Sequence, residues 1–333
     1  MADYINIRGQ NIEVVASDPT NPTQGQIWYN STSNTLKGLG LSAAAFSSGP
    51  TMADTARRVA GTTGNSVDQA IAIGGYIGPT VSNAHEEYSG TAWSSAPNIP
   101  VGAFGGACCG TQTATLFGLG NFNALPGGDV NTSYEYNGAT WTSGGTLSVA
   151  RVNTNAGIGT QTAAVFAGGY QPGPDAASAL TEKYDGTSWT NGNAMNIDRS
   201  YPAGIGIETA GLVIGGPGAP AQASSEEYDG TSWTTSGNMP GGRGEQPGLF
   251  GIQTSAIATG GNSGGYLTSS TTYDGTSWAA NPATLITARG YCGGAGTSSS
   301  GIVFTGQNTP GNLNSSEIYT GPGAAVTKTI TVS

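Results

Sequence analysis

A hexapeptide, Tyr184-Asp185-Gly186-Thr187-Ser188-Trp189, returns unchanged as Tyr228-Asp229-Gly230-Thr231-Ser232-Trp233 and Tyr273-Asp274-Gly275-Thr276-Ser277-Trp278. Looser copies are Tyr136-Asn137-Gly138-Ala139-Thr140-Trp141 and Tyr88-Ser89-Gly90-Thr91-Ala92-Trp93, and a remnant is Tyr319-Thr320-Gly321. The tyrosines step by 48, 48, 44, 45 and 46 residues. That period fits one four-stranded propeller blade, a unit that cannot bury its own apolar face and gains a core by stacking on its neighbours. The expected fold is all-β: a six-bladed β-propeller over residues 41–321, a small β-hairpin segment over 1–40, and a C-terminal strand over 322–333.

Four strands can be placed in each unit. In the third unit the first is expected from Thr154 to Gly159 and the second, the most apolar, from Ala163 to Gly169. The third strand carries Glu182 and Tyr184, and in the next unit Glu227 and Tyr228. Asp-Gly or Asn-Gly then makes a tight hairpin turn, because glycine takes positive φ without steric cost. Tryptophan opens the fourth strand, so the repeated Tyr and Trp are expected to pack as the seam within and between blades.

The two ends of the array complement each other. Ala44 to Met52 aligns with the tail of a repeat, with Phe46 where other copies have tryptophan, whereas the sixth copy stops after Gly321. A strand within residues 41–56 that completes the last blade would close the ring and remove two exposed sheet edges.

An apolar strand ending in Gly-Gly, a tyrosine 12 to 15 residues later and then a tryptophan resemble the kelch repeat. The glycine pair is imperfect in the second and sixth copies (Gly118-Leu119-Gly120, Gly306-Gln307), and the Tyr-to-Trp spacing of five residues is tighter than the usual kelch spacing. Pro22-Thr23-Gln24-Gly25-Gln26-Ile27-Trp28-Tyr29-Asn30, leading into a hairpin through Ser31–Asn34 to Thr35-Leu36-Lys37, resembles the N-terminal segments of tail-fibre and other virion proteins of tailed bacteriophages. The second resemblance implies a virion location, with residues 1–40 contacting other virion proteins. An ordinary hairpin beside the domain is the alternative.

Charge limits the partners. A net charge of −10 with ten Lys and Arg gives no basic surface for nucleic acid or an anionic membrane. No apolar run reaches the roughly 18 residues needed to span a bilayer, so no membrane insertion is expected. Met1-Ala2-Asp3-Tyr4 lacks the start of a secretory signal, which points to synthesis in a cytoplasm. Cys108, Cys109 and Cys292 read as buried free thiols, since a disulfide framework uses a denser, even set.

Candidate chemistry is sparse. His85 is the one histidine, read as a surface or strand-edge residue; alone it supports neither a metal site nor the paired-histidine copper site of kelch-like oxidases. No cofactor and no catalytic residue is expected. The Asp-Gly-Thr-Ser-Trp turn resembles the aspartate box of sialidases with one residue fewer between Asp and Gly, but that box is structural there. Arg151, Arg199 and Arg243 follow a tryptophan by ten residues, Arg289 by eleven, and Arg57-Arg58 follow Phe46. These positions suggest a broken ring around the channel. The arginines either bond carbonyls and a nearby Glu between blades or contact an anion or glycan.

The second–third loops vary in length (Tyr170 to Ala176, Asn121 to Asp129, Pro217 to Ala221, Asn262 to Tyr266), whereas the first–second and third–fourth turns are uniform. Variable loops on a rigid scaffold carry binding. Tyr170 and Asp175 therefore join the arginines, Arg58 included, as candidate binding residues. The reading favoured by the sequence is a non-enzymatic phage virion protein, a tail fibre, tail accessory or capsid decoration that contacts a host-cell glycan or surface protein. A soluble protein- or glycan-binding propeller is the alternative, and a glycan hydrolase the more distant one.

Overall fold

The computed structural model describes residues 12–22, 26–55, 60–61, 66–121, 128, 130–171, 176–216, 223–309, 311–323 and 325–330. Residues 1–11, Arg57, Arg58 and Asp175 lie outside the described residues, as do most of the 121–129 and 217–221 loops. The chain forms two compact units, one of residues 1–44 with 321–333 and one of residues 45–320.

The larger unit is all-β, apart from one short 3-10 turn at Val67–Gln69 among the described residues. Its described strands make six four-stranded antiparallel sheets and one two-stranded sheet, Tyr170–Gln171 with Ala176–Ala177. The first strands are Ala60–Gly61, Ala107–Thr111, Ala156–Thr160, Ala203–Ile207, Gly248–Ile252 and Gly293–Thr297. The second are Ile71–Ile73, Ala114–Gly118, Ala163–Ala167, Ala210–Ile214, Ser255–Thr259 and Ser300–Phe304. The third are His85–Tyr88, Thr132–Tyr136, Thr181–Tyr184, Ser225–Tyr228, Ser270–Tyr273 and Ser316–Thr320. The fourth are Trp93–Ala96, Trp141–Thr146, Trp189–Asn191, Trp233–Thr235 and Trp278–Asn281, and in the sixth sheet Ala45–Ser48. In that last pairing Phe46 stands opposite Tyr319, as Trp189 stands opposite Tyr184.

The second strand of the third sheet ends two residues earlier than its apolar run. Gly168 and Gly169 take φ of 73° and 103°, which turns the chain out of the sheet. Each first strand lies against the first strand of the following sheet, and that of the sixth lies against that of the first. The approach is close because glycines face it. A Cβ on Gly157 would come within 2.7 Å of the Cys108 carbonyl carbon, and one on Gly294 within 2.8 Å of the Leu249 backbone.

The core sits between successive sheets. Ile205, Leu212 and Ile214 of the fourth meet Leu249, Ala256, Tyr273 and Trp278 of the fifth. Ala295, Ile302 and Phe304 of the sixth meet Ala70, Ala72 and Tyr88 of the first.

In the smaller unit, Glu13–Val15 runs parallel to Ile27–Asn30, which pairs antiparallel with Thr35–Leu41, and that strand pairs with Ala325–Thr329. Trp28 is fully buried. Asp18 accepts hydrogen bonds from Trp28 Nε1 at 3.1 Å, Asn30 Nδ2 at 2.7 Å and Lys37 Nζ at 2.7 Å. These donors, led by Lys37, lower the Asp18 carboxyl to about 2.

Candidate functional site

The repeated hexapeptide is a self-contained turn. Asp185 Oδ1 accepts from the amides of Thr187 at 2.9 Å and Ser188 at 2.8 Å, and Ser188 Oγ donates to Oδ2 at 3.1 Å. Asp229 and Asp274 repeat the arrangement, and the amide donors hold all three carboxyls below the usual range. The rings lie against each other across the hairpin, with Tyr184 and Trp189 centroids 4.9 Å apart.

Many of their polar ends tie a sheet to the one before, whereas the Tyr88 and Tyr228 hydroxyls donate to the Gly90 and Gly230 carbonyls of their own hairpins. The indole N–H groups of Trp189, Trp233 and Trp278 donate to Ser133, Thr181 and Ser225 at 3.0–3.1 Å. Tyr184 and Tyr273 hydroxyls donate to Glu135 and Glu227 at 2.8 and 2.7 Å. Tyr319 accepts from Asn281 Nδ2 at 3.0 Å, and Trp141 donates to the Pro97 carbonyl at 2.8 Å. Tyr88, Tyr136 and Tyr228 are buried, and Trp93 is half-buried. This much of the motif is occupied within the fold.

A second tie was not read from the sequence. Gln161, in the turn between first and second strands, donates from Nε2 to the Thr115 and Tyr136 carbonyls of the preceding sheet at 3.0 and 2.8 Å. Gln112 and Gln253 do the same to Ala70 and Tyr88, and to Gly211 and Tyr228. In the fourth repeat the position is Glu208, which accepts from Lys183 Nζ at 2.6 Å. A glutamine at a fixed offset in three turns was the available signal.

The arginines do not form a solvent-facing ring. Arg151, Arg199, Arg243 and Arg289 are all at most 1% exposed, which puts their guanidinium groups out of reach of a glycan. Each instead ties the segment entering its sheet to the bend between that sheet's second and third strands. Arg151 Nη1 donates to the Gly168 carbonyl at 2.5 Å and the Leu180 carbonyl at 3.0 Å, and Nη2 to Glu182 at 2.5 Å. Arg199 reaches Gly215, Ser224 and Glu226, and Arg289 reaches Thr305, Ser315 and Glu317.

The carboxylates are buried in turn and also accept backbone amides. Glu182 takes the Ser148 amide, Glu226 the Asn196 amide, and Glu317 those of Ile286 and Thr287. Arg243 bonds the Gly260 and Ser269 carbonyls at 2.6 and 2.8 Å but has no carboxylate partner among the described residues, because Thr271 stands where the third, fourth and sixth repeats have Glu. Burial lowers the Arg243 guanidinium to about 10, still a cation at neutral pH.

His85 is not at the surface. It is fully buried, edge-on to Tyr136 and Trp141 at centroid distances of 4.8 and 5.5 Å. It takes the strand position that Ser133, Thr181 and Ser225 occupy elsewhere, so stacking there admits a flat ring. Its Nδ1–H donates to the Pro97 carbonyl at 3.3 Å, and Nε2 lies 3.5 Å from Glu87 Oε1. Burial lowers its pKa to about 4, and burial raises that of Glu87. Cys108, Cys109 and Cys292 are buried free thiols whose pKa values burial raises.

On the variable-loop side, Tyr170 is half-buried and bridges back to Val152, joining its loop to the segment between sheets. Gly244 and Gly290 bridge in the same way to Asn262 and Gln307. On the uniform-turn side an open apolar depression is lined by Ile207, Ala210, Ile252 and Gln253, with both isoleucines about half exposed. Between the first strands a narrow gap with room for little more than a water is lined by Asn155, Gln246, Pro247, Leu249, Cys292, Ala203 and glycines. Among the described residues no group of three or more His, Cys, Asp or Glu could hold a metal, and no helix is long and apolar enough to cross a membrane.

No protein-family model matches the chain. No curated protein matches it either. Among solved structures the chain is similar to one titled "Structure of YjhT", with a TM-score of 0.62 and 12% identity over 82% of this chain and 97% of that one. That structure has a propeller-like, mostly-β fold, and the likeness makes this chain an all-β, propeller-type protein.

Proposed function

We propose that this chain is a six-bladed kelch-like propeller serving as a non-enzymatic structural protein of a tailed-bacteriophage virion, attached through its small β unit. Two contacts support ring closure: the pairing of Ala45–Ser48 with Ser316–Thr320, and the contact between the first strands of the sixth and first sheets. The observation that carries the virion reading is the small unit itself. Its phage-like Pro22–Asn30 stretch leads into a hairpin held by the buried Trp28 and the Asp18 hydrogen bonds, in a unit compact by its own contacts.

The repeated tyrosines, tryptophans and glutamines are engaged in turns and in contacts between sheets, and the arginines in contacts within their own sheets, which leaves the variable-loop side for contact with a host-cell glycan or surface protein. The test is attachment of wild-type protein and a form lacking residues 1–40 to particles grown without the native protein. Wild-type attachment with loss in the shortened form supports the reading, and equal attachment overturns it. Release of reducing sugar from host polysaccharide by the wild-type chain would overturn the non-enzymatic part.

A further inference from the structure

Five repeats present versions of one site among the described residues, and comparing them isolates the fifth. In the third, fourth and sixth repeats a buried arginine meets a buried glutamate two residues before the repeated tyrosine: Arg151 with Glu182, Arg199 with Glu226, Arg289 with Glu317. In the second repeat both partners are replaced together, by Ala103 and Tyr134. The fifth repeat keeps the cation and loses the anion, with Arg243 1% exposed and Thr271 1% exposed.

The substitution extends to the segment that feeds the carboxylate. Ser148 and Asn196, three residues before their arginines, donate backbone amides to Glu182 and Glu226. The equivalent residue before Arg243 is Pro240, which has no amide hydrogen. Arg243 Nε and Thr271 Oγ1 are both buried without a hydrogen-bond partner, and Arg243 Nη2 has only a long 3.3 Å bond to Ser269 Oγ. The two carbonyls that Arg243 does bond carry partial charge only, and a buried guanidinium is costly without a full counter-charge.

We infer that the fifth repeat binds a small monovalent inorganic anion, of chloride type, between the Arg243 guanidinium and the Thr271 hydroxyl, in the role that Glu182, Glu226 and Glu317 play in their repeats. The anion is a structural ligand that the folded chain holds and the unfolded chain does not. Stability therefore rises with its concentration by mass action. The chain's net charge of −10 gives it no general affinity for anions, so a response to chloride at fixed ionic strength reports a specific site.

The experiment is urea unfolding of the full chain with chloride exchanged for gluconate at constant ionic strength. For one bound ion, the unfolding constant falls about tenfold for each tenfold rise in chloride above its dissociation constant. Thr271→Glu supplies a covalent counter-charge and is expected to abolish that dependence. Crystals grown in bromide are expected to show an anomalous peak within hydrogen-bond reach of Arg243 and Thr271. A flat wild-type response, an equal response in Thr271→Glu, or a water only at that position in bromide overturns the inference. Should Thr271→Glu fail to fold, the wild-type bromide peak decides alone.

Discussion

Replacing Arg199 by Met removes the cation from a pair in which both side chains are fully buried. Glu226 then keeps its bonds to Asn196 but has no counter-charge, and the Gly215 and Ser224 carbonyls lose a donor. Breaking a buried pair from one side costs about 3–5 kcal/mol, because the remaining charge stays desolvated. At about 2–4 °C per kcal/mol, the melting temperature falls by roughly 6–20 °C. Adding Glu226→Gln removes the orphaned charge while keeping an acceptor for the Asn196 amide. The double variant is therefore expected to recover about 1–3 kcal/mol, read as the coupling term of a double-mutant cycle in urea.

A single-variant cost under about 1 kcal/mol, or a double variant no better than the single, would refute the assignment of the pair as the source of the energy.

Other outcomes follow from the same geometry. His85 is the chain's one histidine, so its NMR titration is unambiguous; the folded value is expected near 4. A depressed histidine pKa means that stability falls as pH drops from about 6.5 toward 4, and His85→Phe should flatten that slope in urea midpoints. Asp18, lowered to about 2, contributes stability above its unfolded value of 3.8 that is lost as pH falls through 2, and the Trp28 indole N–H shift should follow it. Gln161→Ala frees two carbonyls of the second sheet and should cost about 1–2 kcal/mol in chemical denaturation, with Thr162→Ala as a control. Gly157→Ala should cost about 1–3 kcal/mol or more, because its Cβ meets the Cys108 backbone, whereas Gly265→Ala meets nothing within 4 Å.

What was legible in the sequence is what the chain settles locally. Tyr-Asp-Gly-Thr-Ser-Trp contains its own turn, since Asp185 bonds amides two and three residues on, and so the hairpin and its period could be read directly. Phe46 was placed by alignment with the tryptophans, and it stands opposite Tyr319 as they stand opposite theirs. Contacts between repeats were not legible. Gln161 reaches carbonyls 25 and 46 residues back, and nothing beside it announces them.

The arginines were visible as a periodic feature, but periodicity fixes position along the chain and not direction. They point into the bends between second and third strands, where carbonyls and a glutamate meet them, instead of toward a channel. His85 was misread because a polar run of Asn83-Ala84-His85-Glu86-Glu87 suggests water, while strand alternation and the neighbouring rings enclose it.

The sixth sheet takes its outer strand from residues 45–48 and its other three from residues 293–320. Ser47 and its partner Ile318 are 271 residues apart in sequence. At about 5–20 residues per second on a ribosome, that separation is roughly 14–54 seconds of synthesis. During that time the Ala45–Ser48 strand has left the ribosome with its eventual neighbour unmade, presenting a bare edge to other nascent chains. Its serines, Ser47 and Ser48, and the Gly49-Pro50 that follows suit a segment that must wait in solution without recruiting a stranger.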